Sequence, residues 1–337
     1  MSMLQVMRIF SPTLWGWQAD RTGKRIPIVR MAALLSVTAY VGVFFGKQFS
    51  WLLAVMMLMS FFWSACLPLV EATTLSHLEG RIDRYGQIRS WGSLGFILAV
   101  VGLGQILDHA PIHFILLAVL GFLLGILFFS WIVPEAAPLS HETDSVPVKS
   151  ILKRSEVLAL FSSCLLMAAA HGPYYTFFSI YLVSHGYLKS SVGWLWGLGV
   201  ICEIGVFFMM PKIMRHFTLK SILAFSLSCA VLRFALIGWY VDSLFLIVMA
   251  QVLHAATFGA HHAAAMAAVH HFFKGKHQAK GQSFYTSLAY GVGGTMGALG
   301  GGYAWQMLGP QPAFGLASLF ALAGLMILLW KFRLSPG

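Results

Sequence analysis

The chain has 337 residues, 58% of them apolar and only 10% charged, with a mean hydropathy of +0.79. A water-soluble fold carries about a quarter charged residues, so a soluble domain of this size is excluded. A membrane barrel would show short alternating segments, and none is seen, while the net charge of +11 raises nucleic acid as a partner until its placement along the chain is read.

Apolar runs of about twenty residues are long enough to cross a ~30 Å hydrocarbon core as helix. They predict spans near 3–17, 26–46, 51–74, 87–108, 111–133, 157–183, 190–211, 221–240, 244–270, 282–308 and 311–330. The fold class is therefore all-α and polytopic, with about eleven transmembrane helices. The connections alternate in charge. Arg21, Lys24, Arg25 and Arg30, then Arg81 and Arg84, then Lys149, Lys153 and Arg154 fall on one side. So do Lys212, Arg215 and Lys220, Lys274, Lys276 and Lys280, and finally Lys331 and Arg333. Only Lys47 and Lys189 fall on the other side. This is the positive-inside pattern, and it places the C-terminus and the central loop in the cytoplasm of a bacterial inner-membrane protein. It also removes nucleic acid as a partner. Cys66, Cys164, Cys202 and Cys229 all lie in spans and read as small apolar side chains. The first apolar stretch carries Arg8 and runs into a charged loop, unlike a cleavable leader.

Following the chain, residues 16–25 read G-W-Q-A-D-R-T-G-K-R. Gly16 permits close helix approach, and Asp20-Arg21-Thr22-Gly23 has turn-forming composition. Asp20 suits a neighbouring helix N-terminus, and Arg21, Lys24 and Arg25 hold the loop inside. This stretch resembles the signature loop of the major facilitator superfamily, which lies between that family's second and third helices. The resemblance implies a conformational latch made of Gly16, Asp20, Arg21, Gly23, Lys24 and Arg25. It also implies a 6+6 helix plan, of which this chain reads as lacking the first helix. The expected organisation is an N-terminal five-span bundle over 1–133, a polar cytoplasmic linker over 134–156, and a C-terminal six-helix bundle over 157–337. The segment 211–217, P-K-I-M-R-H-F, is a weakened second copy of the loop that keeps Lys212 and Arg215.

Arg8, Glu71, Glu203 and Arg233 are ionisable residues within spans. Each costs roughly 2.5–3.5 kcal/mol at the bilayer centre, so they are expected to pair or to face a wet cavity. L-P-L-V-E-A (67–72) and Y-G-Q-I-R-S-W-G-S-L-G-F (85–96) resemble helices four and five of the lactose permeases. That likeness implies substrate contacts for Glu71 and Arg89 and an aromatic platform at Phe96. G-V-I-C-E-I (199–204), A-V-L-R-F (230–234) and Q-V-L-H-A-A-T (251–257) resemble the same family's later helices through Glu203, Arg233 and His254. Thr257 and Gln251 stand where that family has acidic and Lys residues, so its sugar specificity and proton route do not carry over. A-A-H-G-P-Y-Y (169–175), W-L-W-G-L-G-V (194–200) and V-L-H-A-A-T-F (252–258) resemble the phenylpropionate-permease-like branch, which adds His171 and Tyr174 to the candidate site.

Arg8, Arg89 and Arg233 outnumber Glu71 and Glu203, and Tyr174, Tyr175, Trp194 and Trp196 supply aromatic walls. Guanidinium holds carboxylate through paired hydrogen bonds, so the expected substrate is a small organic acid, aromatic acids included, carried by alternating access. Its expected partners are that substrate, a proton and the lipid bilayer, and the chain is expected to act as a monomer. Glu203 is the expected acceptor of the coupling proton, and His254, which titrates near neutral pH in water, is the expected relay. The 91–105 stretch lacks the Gly-Pro pattern of antiporters, which favours symport. Proton-coupled sugar or nucleoside symport is the alternative within this class. A polytopic membrane enzyme using His254, His261, His262, His270 and His271 is the alternative outside it. Those histidines are spaced too widely for di-iron motifs, so neither metal nor cofactor is expected. G-V-G-G-T-M-G-A-L-G-G-G (291–302) lies in an apolar span without a preceding strand and reads as close helix packing.

Overall fold

The computed structural model describes residues 2–78, 82–136, 148–273 and 278–332. Among them the chain is helical throughout, and every span expected from hydropathy has a helical counterpart. Nine helical stretches are long and apolar enough to cross a membrane by length and composition. The helix Ser2–Thr22 and the stretch 278–308 are not among those nine, because polar residues spread along the first, such as Gln5, Arg8 and Gln18, and the many glycines of the second lower their hydropathy. Phe208 (81% exposed) and Phe49 (80%) typify an apolar exterior that water would not tolerate over such an extent and lipid does. Residues 137–147 of the expected linker lie outside the described residues.

The chain forms two compact units, one of Met1–Gly92 with His109–His141 and one of Ser93–Asp108 with Glu142–Gly337. In the first, α1 (Ser2–Thr22), α2 (Ile26–Val41), α3 (Phe49–Trp63), α4 (Cys66–His77), the start of α5 (Ile82–His109) and α6 (Phe114–Ile132) pack around small residues of α2. Ala32, Ala33 and Ser36 are buried there, so neighbouring backbones come close. The α3–α4 span breaks at Ser64 and Ala65 because Pro68 has no N–H to return to the Ser64 carbonyl. At the break the Phe61 carbonyl accepts bonds from Ser11 Oγ (2.8 Å) and Trp15 Nε1 (3.0 Å), which satisfy it inside the membrane.

The basic loop after α1 is held by its own unit. Gly23 adopts φ 65°, the left-handed region that ends α1, and Arg21 lies over the Trp17 ring at 5.5 Å. Arg25 Nη1 donates to the Ala72 carbonyl (3.2 Å) and to Ser76 Oγ (2.7 Å) at the end of α4. The Glu135 carboxylate accepts the first backbone N–H groups of α2, from Arg25 (3.0 Å) and Ile26 (2.9 Å). Among the described residues, a Cβ on Gly16 would meet no atom within 4 Å.

The second unit contains the rest of α5, the short α7 (Val148–Leu152), α8 (Ser155–Ser184), α9 (Lys189–His216) and α10 (Leu219–Trp239). Two spans follow that are interrupted by π-helical turns. One runs α11 (Leu244–Val252), Ala255–Ala260, α12 (His261–Phe272), and the other α13 (Gln278–Thr286), Ser287–Gly293, α14 (Gly294–Leu308). The last helix is α15 (Pro310–Lys331). The glycines of 291–302 act as expected, since Cβ atoms on Gly293, Gly297 and Gly301 would collide with Leu165, Ala169 and Pro173 of α8. At the far end of α5, Asp108 Oδ1 accepts the Lys189 N–H (2.8 Å) and so caps α9 across a long sequence gap. Asp108→Ala should lower stability by about 1 kcal/mol, the usual value of such a cap, and Asp108→Asn by clearly less. Thermal melting of the two variants in detergent checks this.

Candidate functional site

The second unit contains a buried polar cluster centred on Arg233 of α10, which has no exposed surface. Its guanidinium reaches four neutral acceptors. Nε donates to the Ala250 carbonyl (2.9 Å), Nη1 to His171 Nε2 (3.3 Å) and Thr257 Oγ1 (3.3 Å), and Nη2 to Gln251 Oε1 (3.2 Å). The Tyr174 ring closes the cage at 4.1 Å from its centroid. Ala250 lies in the last turn of α11, just before the span passes into the π turn Ala255–Ala260. Gln251 also exchanges hydrogen bonds with Tyr174 Oη and donates to the Leu195 carbonyl (3.0 Å). Among the described residues no carboxylate forms an ion pair with Arg233. Among the described residues, dipoles and the Tyr174 ring face hold this buried cation.

Proline and glycine place the α8 side of the cage. Pro173 cannot donate to the Ala169 carbonyl, and the Gly297 backbone packs against that freed oxygen. Gly172 meets Gly297 in the same crossing. His171 and Tyr174 flank this fixed point and face α10, and both are buried. Tyr174 packs at a tilt of 43° against Trp196, with centroids 4.6 Å apart, and Tyr175 lies nearly parallel to the same indole at 6.1 Å. Trp194 is a correction to the expected aromatic wall, being 55% exposed. Two residues along a helix is about 200° of rotation, so only one of the two tryptophans can face inward.

Beside the cage, His254 Nε2 lies 3.7 Å from Glu203 Oε2. The pair depends on two glycines that sequence reasoning overlooked. A Cβ on Gly199 would press on His254 Cδ2 at 3.3 Å, and one on Gly259 would press on Glu203 Cγ at 3.2 Å. Each helix thus lacks a side chain where the other extends one. The spacing of Gly199 and Gly259 to the ionisable residues, four positions before Glu203 and five after His254, was the available signal. His254 stacks on Phe258 (5.4 Å), which stacks on His262 (6.2 Å), whose Nδ1 meets the hydroxyls of Tyr285 (3.2 Å) and Tyr290 (3.1 Å). Among the described residues no group of three His, Cys, Asp or Glu is placed to share a metal ion.

His171, Tyr174, Glu203, Arg233 and His254 are therefore gathered in the second unit. Phe96, also of that unit, is 42% exposed and stands apart from the cluster. Glu71 is half-buried on α4 of the first unit. Arg8 and Arg89 belong to helices of that unit, and their side chains, like that of Asp20, lie outside the described residues. Gln251, Thr257 and the Ala250 carbonyl complete the cage without having been expected as site groups. Two of them stood out only as departures from a resembling family.

A family model described as the MFS_1 like family matches residues 1–316. The chain is 30% identical over 326 residues to a "Probable 3-phenylpropionic acid transporter" of Escherichia coli (strain K12), covering 96% of this chain and 85% of that protein. It is 24% identical over 343 residues to a maltose permease of Geobacillus stearothermophilus, covering 98% and 84%. Among solved structures, the nucleoside transporter NupG superposes with a TM-score of 0.82 at 16% identity, covering 99% of this chain and 89% of that one. The human organic anion transporter MFSD10 (TETRAN) superposes with a TM-score of 0.62 at 18% identity, covering 97% and 82%. These likenesses carry the fold.

Proposed function

Since the chain belongs to the MFS_1 like family of transporters, we propose that it is a secondary active transporter that carries a small organic acid, of aromatic type, together with a proton by alternating access. The observation that carries this reading is Arg233, a buried cation caged by neutral groups beneath the rings of Tyr174, Tyr175 and Trp196. A cation in low dielectric is costly without a counter-charge, and a carboxylate entering beside it supplies one. The rings suit an aromatic body on that carboxylate. The name of the 30%-identical relative agrees with such a substrate. On this reading Arg8, Glu71 and Arg89 of the first unit, and Phe96, His171 and Tyr174 of the second, are each substrate-contacting residues. The loop residues Gly16, Asp20, Arg21, Gly23, Lys24 and Arg25 serve as the conformational latch, and the basic loops and C-terminus face the cytoplasm of a bacterial inner membrane.

Glu203 and His254 form the proton-carrying pair, with the carboxyl taking the proton and the imidazole relaying it. The test is uptake of 3-phenylpropionate into proteoliposomes with an imposed pH gradient, acid outside. The wild type should accumulate the probe, and Glu203→Gln should lose gradient-driven accumulation by about a hundredfold or more, the lower end of what a positioned proton-transfer group contributes, while still binding. Unchanged gradient-driven uptake in Glu203→Gln would remove the carboxyl from the proton route. A second reading, proton-coupled sugar or nucleoside symport, draws on the maltose permease and NupG likenesses. Maltose or uridine accumulating in the same vesicles while 3-phenylpropionate does not would establish it instead.

A further inference from the structure

On the reading that an organic anion travels with a proton, we propose that His171 is the proton-operated release for Arg233: a proton on its Nε2 expels the guanidinium from its cage and makes it available to the substrate carboxylate. The contacts of the ring decide its tautomer. His171 Nδ1 faces the Met167 carbonyl at 2.9 Å, an acceptor only, so Nδ1 carries the hydrogen. His171 Nε2 faces Arg233 Nη1 at 3.3 Å, a donor only, so Nε2 presents its lone pair. The ring is neutral and committed at both nitrogens.

Adding a proton at Nε2 breaks this arrangement at one atom. The new Nε2–H points at a guanidinium N–H where a hydrogen bond had been, and two like charges then share a buried site. Ala250, Gln251 and Thr257 offer only neutral acceptors and do not offset that repulsion. A carboxylate does, because it can accept from the imidazolium and the guanidinium together through charge-assisted bonds. The anion and the proton thus bind as a pair of zero net charge. When the anion leaves, the proton leaves the same nitrogen and Arg233 returns to its cage.

The other titratable and charged groups around His171 fit this order. Arg233 faces it from α10, and His254 lies at 6.1 Å between ring centroids. His261 on the same span is within electrostatic reach. Tyr174 and Tyr175 flank it on α8 at 6.3 and 5.7 Å, with Tyr290 and Glu203 acting on Tyr175 from farther off. No carboxylate among the described residues contacts the His171 ring. The nearest acid along this path is Glu203, beyond His254. His171 therefore takes the binding-step proton, and the His254–Glu203 pair takes part in its onward passage.

The test uses the purified full chain in detergent with 3-phenylpropionate as the probe. Proton uptake on binding is read with an indicator dye in weak buffer, and affinity is read by calorimetry from pH 6 to 8. The wild type should take up close to one proton per probe bound, and its affinity should weaken about tenfold per pH unit as pH rises, the slope of one linked proton. His171→Gln offers an amide oxygen to Arg233 and cannot titrate, so its affinity should change by less than about twofold across the same range, with no proton uptake. Glu203→Gln should keep the wild-type slope. Wild-type proton uptake persisting in His171→Gln would overturn the proposal. Should that variant not fold, the wild type decides alone by 15N NMR of its 13 histidines. One ring should show bare Nε2 and protonated Nδ1 without probe and become doubly protonated with it, and the absence of such a ring sinks the idea. If 3-phenylpropionate binds at no pH, the organic-acid reading fails, while the tautomer in the unliganded protein still tests His171 separately.

Discussion

Arg233→Lys is expected to lower uptake of an organic-acid substrate about a hundredfold while leaving an intact, membrane-inserted protein. A lysine ammonium is a point charge on a flexible stem, whereas guanidinium presents a planar fork. It cannot reach the Ala250 carbonyl on one side and His171, Thr257 and Gln251 on the other, as the present side chain does. It also cannot offer a carboxylate two parallel bonds. A hundredfold corresponds to near 3 kcal/mol at about 1.4 kcal/mol per decade, which is the range of one hydrogen bond to a charged group. The stability change should be smaller than the four lost contacts suggest, since interhelical hydrogen bonds in membrane proteins average only ~0.6 kcal/mol each. Uptake and melting measured on the same preparation separate the two effects. Near-normal uptake by Arg233→Lys would mean that the cage holds the bundle together and does not meet substrate.

Gly297→Ala carries the largest expected effect on stability. Its new Cβ would fall within the van der Waals shell of the Ala169 carbonyl, backbone against backbone, and neither helix can swing a side chain aside. α8 and α14 must separate. Overpacking of this kind costs typically 1–3 kcal/mol, and a backbone clash belongs at or above the upper figure of ~3 kcal/mol. Gly300→Ala on the same helix is the control, since its Cβ would meet only Leu316 Cδ2, at an ordinary 3.6 Å. The melting temperature and the yield of monodisperse protein should fall sharply for the first variant and stay near wild type for the second. Because His171 and Tyr174 lie on the stretch of α8 that Gly297 supports, any folded Gly297→Ala protein should also lose substrate affinity. Equal melting of the two variants would show that the crossing is not rigid.

Tyr174, Arg233 and His254 illustrate how far the chain could be read in advance. An ionisable or hydrogen-bonding group inside an apolar span is conspicuous against its neighbours, and it must find partners because lipid supplies none. That reasoning selected Arg233, and resemblance added His171 and Tyr174, but neither pointed to Gln251, Thr257 or the Ala250 carbonyl as cage groups. Neither supplied the cage's geometry. The Ala250 carbonyl is a backbone acceptor that no side chain announces, and the π turn at Ala255–Ala260 sets where Thr257 points. Trp194 and Trp196 read alike as aromatic residues of one span, yet the rotation of α9 turned one outward. Gly16 and Gly297 are the same residue in helices, and among the described residues only the second meets a neighbouring backbone.

Each span must pay its own cost of leaving water, so its length and apolar character are written locally in about twenty residues. The positions of the spans, the all-helical class and the signature loop at 16–25 follow from the amino-acid order by itself for that reason. Which atoms meet depends on the depth and rotation of one helix against another, and no local stretch encodes either quantity. The tautomer of His171, the neutral company of Arg233 and the two glycines that admit Glu203 and His254 are properties of helices packed together. Tertiary structure alone decided them.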